Sequence, residues 1–362
     1  MRINKLDGLR GVFSLMVVLY HYPSDFLPSW FYNNFLIRES YVFVDFFFVL
    51  SGFVISYNYN SLDTFHSFLN FFKKRLIRLY PLHFYSNVLF LLYIIFTKTL
   101  LIKYFPDLFE SNNFSFKYYF QSFIDSVFLT NSTPILGQTL GINGPSWSIS
   151  SEIISYLVFG VGLIFLPKKI RGNIYFLIII ISSIICYVYG RFFGGEIIGF
   201  LRGFVGFFLG YFVYKIYSLK KFSLNCSLEI LIPFLLLLIL FVLNKLNTTG
   251  NGLIFGMITI PLFFSSSILF LLKTNGLLTR LLETRVFQFL GKVSFSVYLN
   301  HSILLIVILK SIYKIFKINK TDLNMICVLM IYLTILLLYS YLTCYFIEEK
   351  FGKFLKNRFL NN

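Results

Sequence analysis

Long apolar runs recur along the chain, separated by short basic or polar stretches. A helix needs roughly 20 mostly apolar residues to cross a bilayer. Eleven stretches approach that length: 11–28, 41–57, 79–97, 119–136, 149–166, 174–190, 197–214, 228–243, 253–272, 289–309 and 323–346. The fourth is the weakest, because it carries Gln121, Asp125, Asn131 and Pro134, and it is expected to be re-entrant or interfacial. The pattern therefore predicts an all-α, polytopic integral membrane helical bundle of about ten transmembrane helices. No internal repeat and no extended soluble domain is visible. The longest stretch outside the spans, about residues 98–148, is rich in turn-forming Ser, Asn, Pro and Gly.

Composition supports lipid as the solvent. Of the 362 residues, 57% are hydrophobic and 21% aromatic, and only 13% are charged, against about 25% in a typical soluble domain. The formal net charge of +17 would suggest nucleic acid in a soluble protein. Here it belongs to loops and to the anionic inner leaflet, so no nucleic-acid partner is expected. With the weak segment omitted and the N-terminus inside, inner loops hold 21 of the 32 Lys and Arg residues, outer loops hold 10, and Arg202 stays within a span. This bias predicts cytoplasmic N- and C-termini. The basic start followed by an apolar run resembles a secretory leader, but no small-residue cleavage site follows it, so a retained first span is expected. Cys186, Cys226, Cys327 and Cys344 lack metal or redox spacing and are expected to be small buried hydrophobes.

Ionisable residues inside spans are costly and point to function. His21 falls ten residues into the predicted first span, near the midplane, and Arg10 lies eleven residues earlier, about 16 Å away along one face. A neutral imidazole suits proton transfer from a hydroxyl; a helix–helix hydrogen bond is the plainer alternative. Arg75 and Arg78, in Lys73-Lys74-Arg75-Leu76-Ile77-Arg78, share a helical face at the inner end of the third span. Paired guanidinium forks suit phosphates, although on position alone topology-setting charge is the plainer reading. Asp45 lies in a phenylalanine-rich run and needs a cationic partner. Glu152 follows Ser148, a plausible helix cap. Arg202, between Gly199, Gly203 and Gly206, could pair with Asp45, Glu152 or Glu196; His301 falls near mid-depth in its span. The ensemble reads as cations at the inner face, histidines midway and carboxylates towards the outside. No P-loop or metal motif accompanies it.

Five motifs, in order, resemble the acyltransferase-3 family of membrane O-acyltransferases. They are Leu6-Asp7-Gly8-Leu9-Arg10-Gly11 with Tyr20-His21, Phe46-Phe47-Phe48-Val49-Leu50-Ser51-Gly52-Phe53, Arg75-Leu76-Ile77-Arg78-Leu79-Tyr80-Pro81, Trp147-Ser148-Ile149-Ser150-Ser151-Glu152, and Ser296-Val297-Tyr298-Leu299-Asn300-His301. The resemblance covers almost the whole chain, with 1–346 as the membrane domain and 347–362 as a short basic cytoplasmic tail. It departs from many members at Asn300, where they carry tryptophan, and at Ser151, where they carry valine. It implies a cytoplasmic acyl-CoA donor, usually acetyl-CoA, no metal, and a sugar hydroxyl as acceptor.

On that resemblance His21 is the catalytic candidate, with Glu152 or Asp45 orienting it or the acceptor. Arg10, Arg75 and Arg78 handle the donor, and Trp147, Ser148, Arg202, Tyr298 and His301 are candidate acceptor contacts. Whether His21 deprotonates the hydroxyl or first accepts the acyl group stays open. The implied activity is O-acetylation of a bacterial surface polysaccharide, such as O-antigen lipopolysaccharide or capsule, at the bacterial inner membrane. Abundant Lys, Asn, Ile, Phe and Tyr suggest an AT-rich gene, in keeping with such loci. The chief alternative is a transporter or flippase of lipid-linked sugars, followed by a non-enzymatic membrane scaffold.

Overall fold

Without water to satisfy them, the peptide groups of a spanning segment bond within their own helix, and the described residues follow that rule. The structure is a computed structural model that describes residues 3–101, 115–136, 140–195, 197–219 and 225–360. Glu196, Arg2, Lys103, Lys220 and Lys221 lie outside these residues. The principal helices are α1 (Asn4–His21), α2 (Phe43–Asn58), α3 (Phe65–Phe96), α4 (Phe116–Val127), α5 (Trp147–Phe165), α6 (Lys168–Val188), α7 (Gly199–Leu219), α8 (Leu231–Thr248), α9 (Gly252–Lys273), α10 (Arg285–Leu304), α11 (Asp322–Thr343) and α12 (Gly352–Leu360). Among the described residues nine helical stretches are long and apolar enough to cross a membrane. The last runs unbroken from Asp322 to Leu360, so the residues after 346 prolong a helix.

α1 supplies the tenth crossing. Its first turns hold Lys5, Asp7 and Arg10, too much charge for an apolar window, yet it lies alongside α10 over its length. Gly11 meets Gly291 near one end, and the rings of His21 and His301 meet ten residues further on. The two helices therefore run parallel. The contact is close: a Cβ on Gly11 would lie 2.6 Å from the Gly291 nitrogen, and one on Gly291 would lie 2.2 Å from the Asp7 carbonyl oxygen. Only small residues permit such an approach. α2 and α7 form a second parallel pair, with Gly52 and Gly210 packed backbone to backbone. Ten alternating crossings reproduce both pairings and place the two termini on one side.

Two boundaries differ from the expected ones. The first helix covers Asn4–His21 where 11–28 was expected. Its polar start is helical because it packs on α10, and Pro23 ends it, since the residue before a proline is driven out of the α region. His21 is consequently the last residue of α1. The weak segment 119–136 is a twelve-residue helix, α4, followed by turns. It is too short to span. The turns that follow bury Asn131, Ser132 and Asn143 inside the bundle. They also carry the start of α5 inwards, because Asn143 donates to the Leu299 carbonyl (3.0 Å) and to Ser86 (3.2 Å).

Candidate active site

A cavity of about 540 Å³ opens between α1, α2, α3, α5, α10 and the final helix. Arg10, Arg75, Arg78 and Lys292 supply four cations to its wall, and Asp7, Glu152, Glu348 and Glu349 supply four carboxylates. Three of the cations are engaged. Arg10 donates to Ser294 Oγ (2.8 Å) and the Gly291 carbonyl (2.7 Å), with Asp7 at 3.4 Å. Arg78 meets Glu348 at 2.8 Å, and Lys292 meets Glu349 at 3.0 Å. Arg75 makes no hydrogen bond or ion pair among the described residues. Its Nε is buried without a partner, and its guanidinium lies 5.8 Å from the centroid of the Tyr59 ring. A half-buried cation with an unpartnered Nε is a natural seat for a ligand anion.

Glu152 belongs to this cavity and not to the outside where it was expected. Because the loop before α5 is folded inwards, α5 begins deep, and Glu152 lies a further turn towards the inner face. Its Oε1 accepts from Ser51 Oγ (2.6 Å) and from the Tyr156 hydroxyl. Ser148, expected to cap α5, lies within the first turn. Its Oγ is 2.9 Å from Tyr298 Oη and 3.1 Å from the Pro145 carbonyl oxygen. Tyr298 donates to that same carbonyl at 3.0 Å. Phe47, Ser148 and Tyr298 all line the cavity, whereas neither histidine does.

The histidines lie just beyond Tyr298, whose ring centroid is 5.9 Å from that of His301. His301 and His21 are 5.0 Å apart, centroid to centroid. Nδ1 of His21 is 2.9 Å from the Val17 carbonyl oxygen, and Nδ1 of His301 is 2.6 Å from that of Tyr298. A carbonyl only accepts, so both Nδ1 atoms carry hydrogen, and in the neutral form of each ring Nε2 presents a lone pair. Ser302 Oγ lies 3.2 Å from Nε2 of His301. Nε2 of His21 has no hydrogen-bond partner among the described residues, and the residue is exposed, whereas His301 is fully buried.

Asp45 and Arg202 stand apart from this line. Arg202 Nη2 and Nε approach the two Asp45 oxygens at 2.7 and 3.0 Å in a bidentate pair, and the side chains are 1% and 0% exposed. The remaining Arg202 donors go to the carbonyls of Tyr41 and Phe193. The rings of Trp147, Phe192 and Phe193 surround the guanidinium at 5.2 to 5.8 Å. Trp147 thus packs on Arg202, and neither it nor Asp45 touches His21.

Sequence reasoning missed Glu348, Glu349, Lys292, Ser51, Tyr156 and Phe47 in the cavity wall. It also missed His83, a fully buried histidine of α3 whose Nε2 lies 2.8 Å from the Ser126 carbonyl oxygen, tying α3 to the end of α4. Glu348 had a readable signal. A carboxylate at the end of a long apolar run needs a cation, and its side chain is 2% exposed in the π-helical turn Cys344–Phe351. Such turns often mark functional sites.

A multi-pass helical membrane protein with a cation-lined cavity in its core and two imidazoles just past the cavity's end is the class that fold and site define. The chain belongs to the acyltransferase-3 family: the family model described as an acyltransferase domain matches residues 3–346. It is accordingly a membrane acyltransferase. No curated protein sequence and no solved structure matches it. Among the described residues no cluster of three His, Cys, Asp or Glu side chains could hold a metal ion.

Proposed function

We propose that the protein is an O-acyltransferase that moves an acyl group, acetyl in the first instance, from cytoplasmic acyl-CoA to a sugar hydroxyl of a bacterial surface polysaccharide such as O-antigen or capsule. In this proposal it works in the bacterial inner membrane. The observation that carries it is the alignment of an unpaired guanidinium, Arg75, in the cavity with a free imidazole nitrogen, His21 Nε2, beyond the cavity's far end. Phosphates of the donor sit on Arg75, with Arg78 and Arg10 beside it, and the thioester arm follows α1 for the roughly 16 Å that separate Arg10 from His21. The exposed face of His21 admits the sugar.

The step needs one base. His21 Nε2 takes the proton of the sugar hydroxyl as its oxygen bonds to the thioester carbonyl carbon. The carbon–sulfur bond breaks, and the CoA thiolate leaves with the proton that His21 returns. The Val17 carbonyl fixes the productive tautomer from the Nδ1 side. His301 and Tyr298 position this imidazole, and Glu152 keeps the cavity wall in place through Ser51 and Tyr156.

Mass spectrometry of surface glycan from cells expressing wild-type protein or His21→Ala tests the proposal. Wild type adds the mass of an acetyl group and His21→Ala, present at equal level, does not. Glycan of identical mass with and without the wild-type protein would overturn it and favour sugar transport.

A further inference from the structure

We propose that the acceptor sugar stacks on the ring of Tyr20, which Tyr41 supports beside His21. The inference rests on the function proposed above and deepens it, by naming a specificity-determining contact on the acceptor side. Tyr20 and His21 share the last turn of α1, at the end away from Arg10. Their ring centroids are 5.1 Å apart and their planes lie at 86°. Tyr20 is 40% exposed, and its hydroxyl has no hydrogen-bond partner among the described residues. A pyranose has a face of C–H groups and a rim of hydroxyls. The C–H face packs on an aromatic ring as other apolar surface does, while the hydroxyls stay at the rim. A pyranose lying flat on Tyr20 therefore brings that rim to the neighbouring imidazole. Because the two side chains are nearly perpendicular, the plane of such a sugar crosses the imidazole plane, in which the Nε2 lone pair lies.

The platform is supported from behind. Tyr41 lies 5.4 Å from Tyr20, centroid to centroid, and is itself backed by Phe193 at 4.9 Å. The Tyr41 hydroxyl accepts from Asn247 Nδ2 (3.2 Å), and the Tyr41 carbonyl accepts from Arg202 Nη2 (3.0 Å). Asn244 and Asn247 of α8 each donate to the Glu39 carboxylate at 2.8 Å, and Glu39 is buried. The support is thus tied to α7 and α8 on both sides of Tyr41, so the segment between α1 and α2 holds its place against Tyr20. The polar groups behind the ring are spent on one another. What an acceptor meets beside His21 is the exposed Tyr20 ring with its free hydroxyl, an apolar body and a polar tip matched to a sugar.

The test uses the full-length protein in lipid nanodiscs, acetyl-CoA, and surface glycan purified from cells that lack the gene, and it measures KM for each substrate. Tyr20→Leu removes the flat ring. It should raise KM for the glycan by about tenfold, the worth of one lost stacking face, and leave KM for acetyl-CoA within about twofold of wild type. Tyr20→Phe keeps the ring and should hold both KM values within about threefold of wild type. Tyr20→Trp keeps an aromatic face and reports on it directly: glycan added without acetyl-CoA should shift the indole emission that this variant gains over wild type. That measurement keeps the test decisive if Tyr20→Leu does not fold. An unchanged glycan KM in Tyr20→Leu, or Tyr20→Trp emission that ignores the glycan, would overturn the stacking contact. Tyr20 would then be an aromatic anchor at the membrane surface, and the acyl-transfer proposal would stand. Wild type that transfers no acetyl group to the glycan would overturn that proposal, and the stacking contact with it.

Discussion

Glu348 holds Arg78 at 2.8 Å with a nearly buried carboxylate that also accepts from Ser296 Oγ at 2.5 Å. An anion supplied by the protein's own last helix therefore occupies one of the seats assigned to donor phosphate. Arg78 is the more open partner, with its side chain 43% exposed, so an incoming phosphate competes for it directly. Glu348→Gln removes the competing charge and keeps the side chain's shape. CoA should bind this variant about two- to fivefold more tightly, matching the modest strength of a half-open ion pair. The gain should vanish in an Arg78→Ala background. Unchanged or weaker CoA binding by Glu348→Gln in a calorimetric titration would remove Arg78 from the phosphate seat.

Arg75 and Arg10 should separate binding from folding. Among the described residues Arg75 has no hydrogen-bond partner to lose, so Arg75→Ala should leave thermal stability near that of wild type. Its effect should appear as CoA binding weakened by about 1.5–3 kcal/mol, the loss of a charged hydrogen bond. Arg10 ties α1 to α10 through Ser294 and Gly291, so Arg10→Ala should lower stability as well as affinity. Paired thermal-unfolding and titration measurements decide the matter. A stability loss in Arg75→Ala equal to that in Arg10→Ala would argue against a free seat.

His21 is the cheapest residue of the site to remove structurally. Its one hydrogen bond among the described residues is to its own helix, and the residue is exposed. His21→Ala and His21→Gln should fold and bind CoA as wild type does, and should lose transfer by about 10²- to 10⁴-fold, the usual worth of a positioned general base. Transfer in His21→Gln within threefold of wild type would shift the base role to His301.

The number of crossings was legible because apolar length is dictated by bilayer thickness and needs no tertiary information. The first helix shows where this fails. Asn4–Arg10 is too polar for an apolar window and is helical because α10 receives it through Gly11 and Gly291. In the site, Arg75 and Arg78 share one cavity wall as their helical spacing implies, and Arg10 joins them there from α1; the approach of Ser148 to Tyr298 could not be read from either motif alone. The depth of Glu152 did not follow. It is set by a loop of buried Asn and Ser residues that fold into the bundle, and their sequence reads only as turn-forming. Glu348 was assigned to the tail because apolar length ends before it, although the helix and its burial continue.

Asp45 and Arg202 provide the last test, since sequence offered Asp45 for catalysis and geometry gives it a structural partner. Each is the other's counter-charge in a fully buried site, and α2 and α7 are joined there. Removing one partner strands a buried charge, so Asp45→Leu or Arg202→Met alone should cost about 3–5 kcal/mol and sharply reduce the folded yield. The double variant Asp45→Leu/Arg202→Met removes both charges and fills much of the same volume, so it should recover most of that stability. Its activity separates the two roles of Asp45. If the carboxylate only joins helices, the double variant should acylate glycan at a substantial fraction of the wild-type rate in a mass-spectrometric assay. Restored folding with transfer still abolished would instead place Asp45, through Trp147 or Tyr41, in the acceptor machinery.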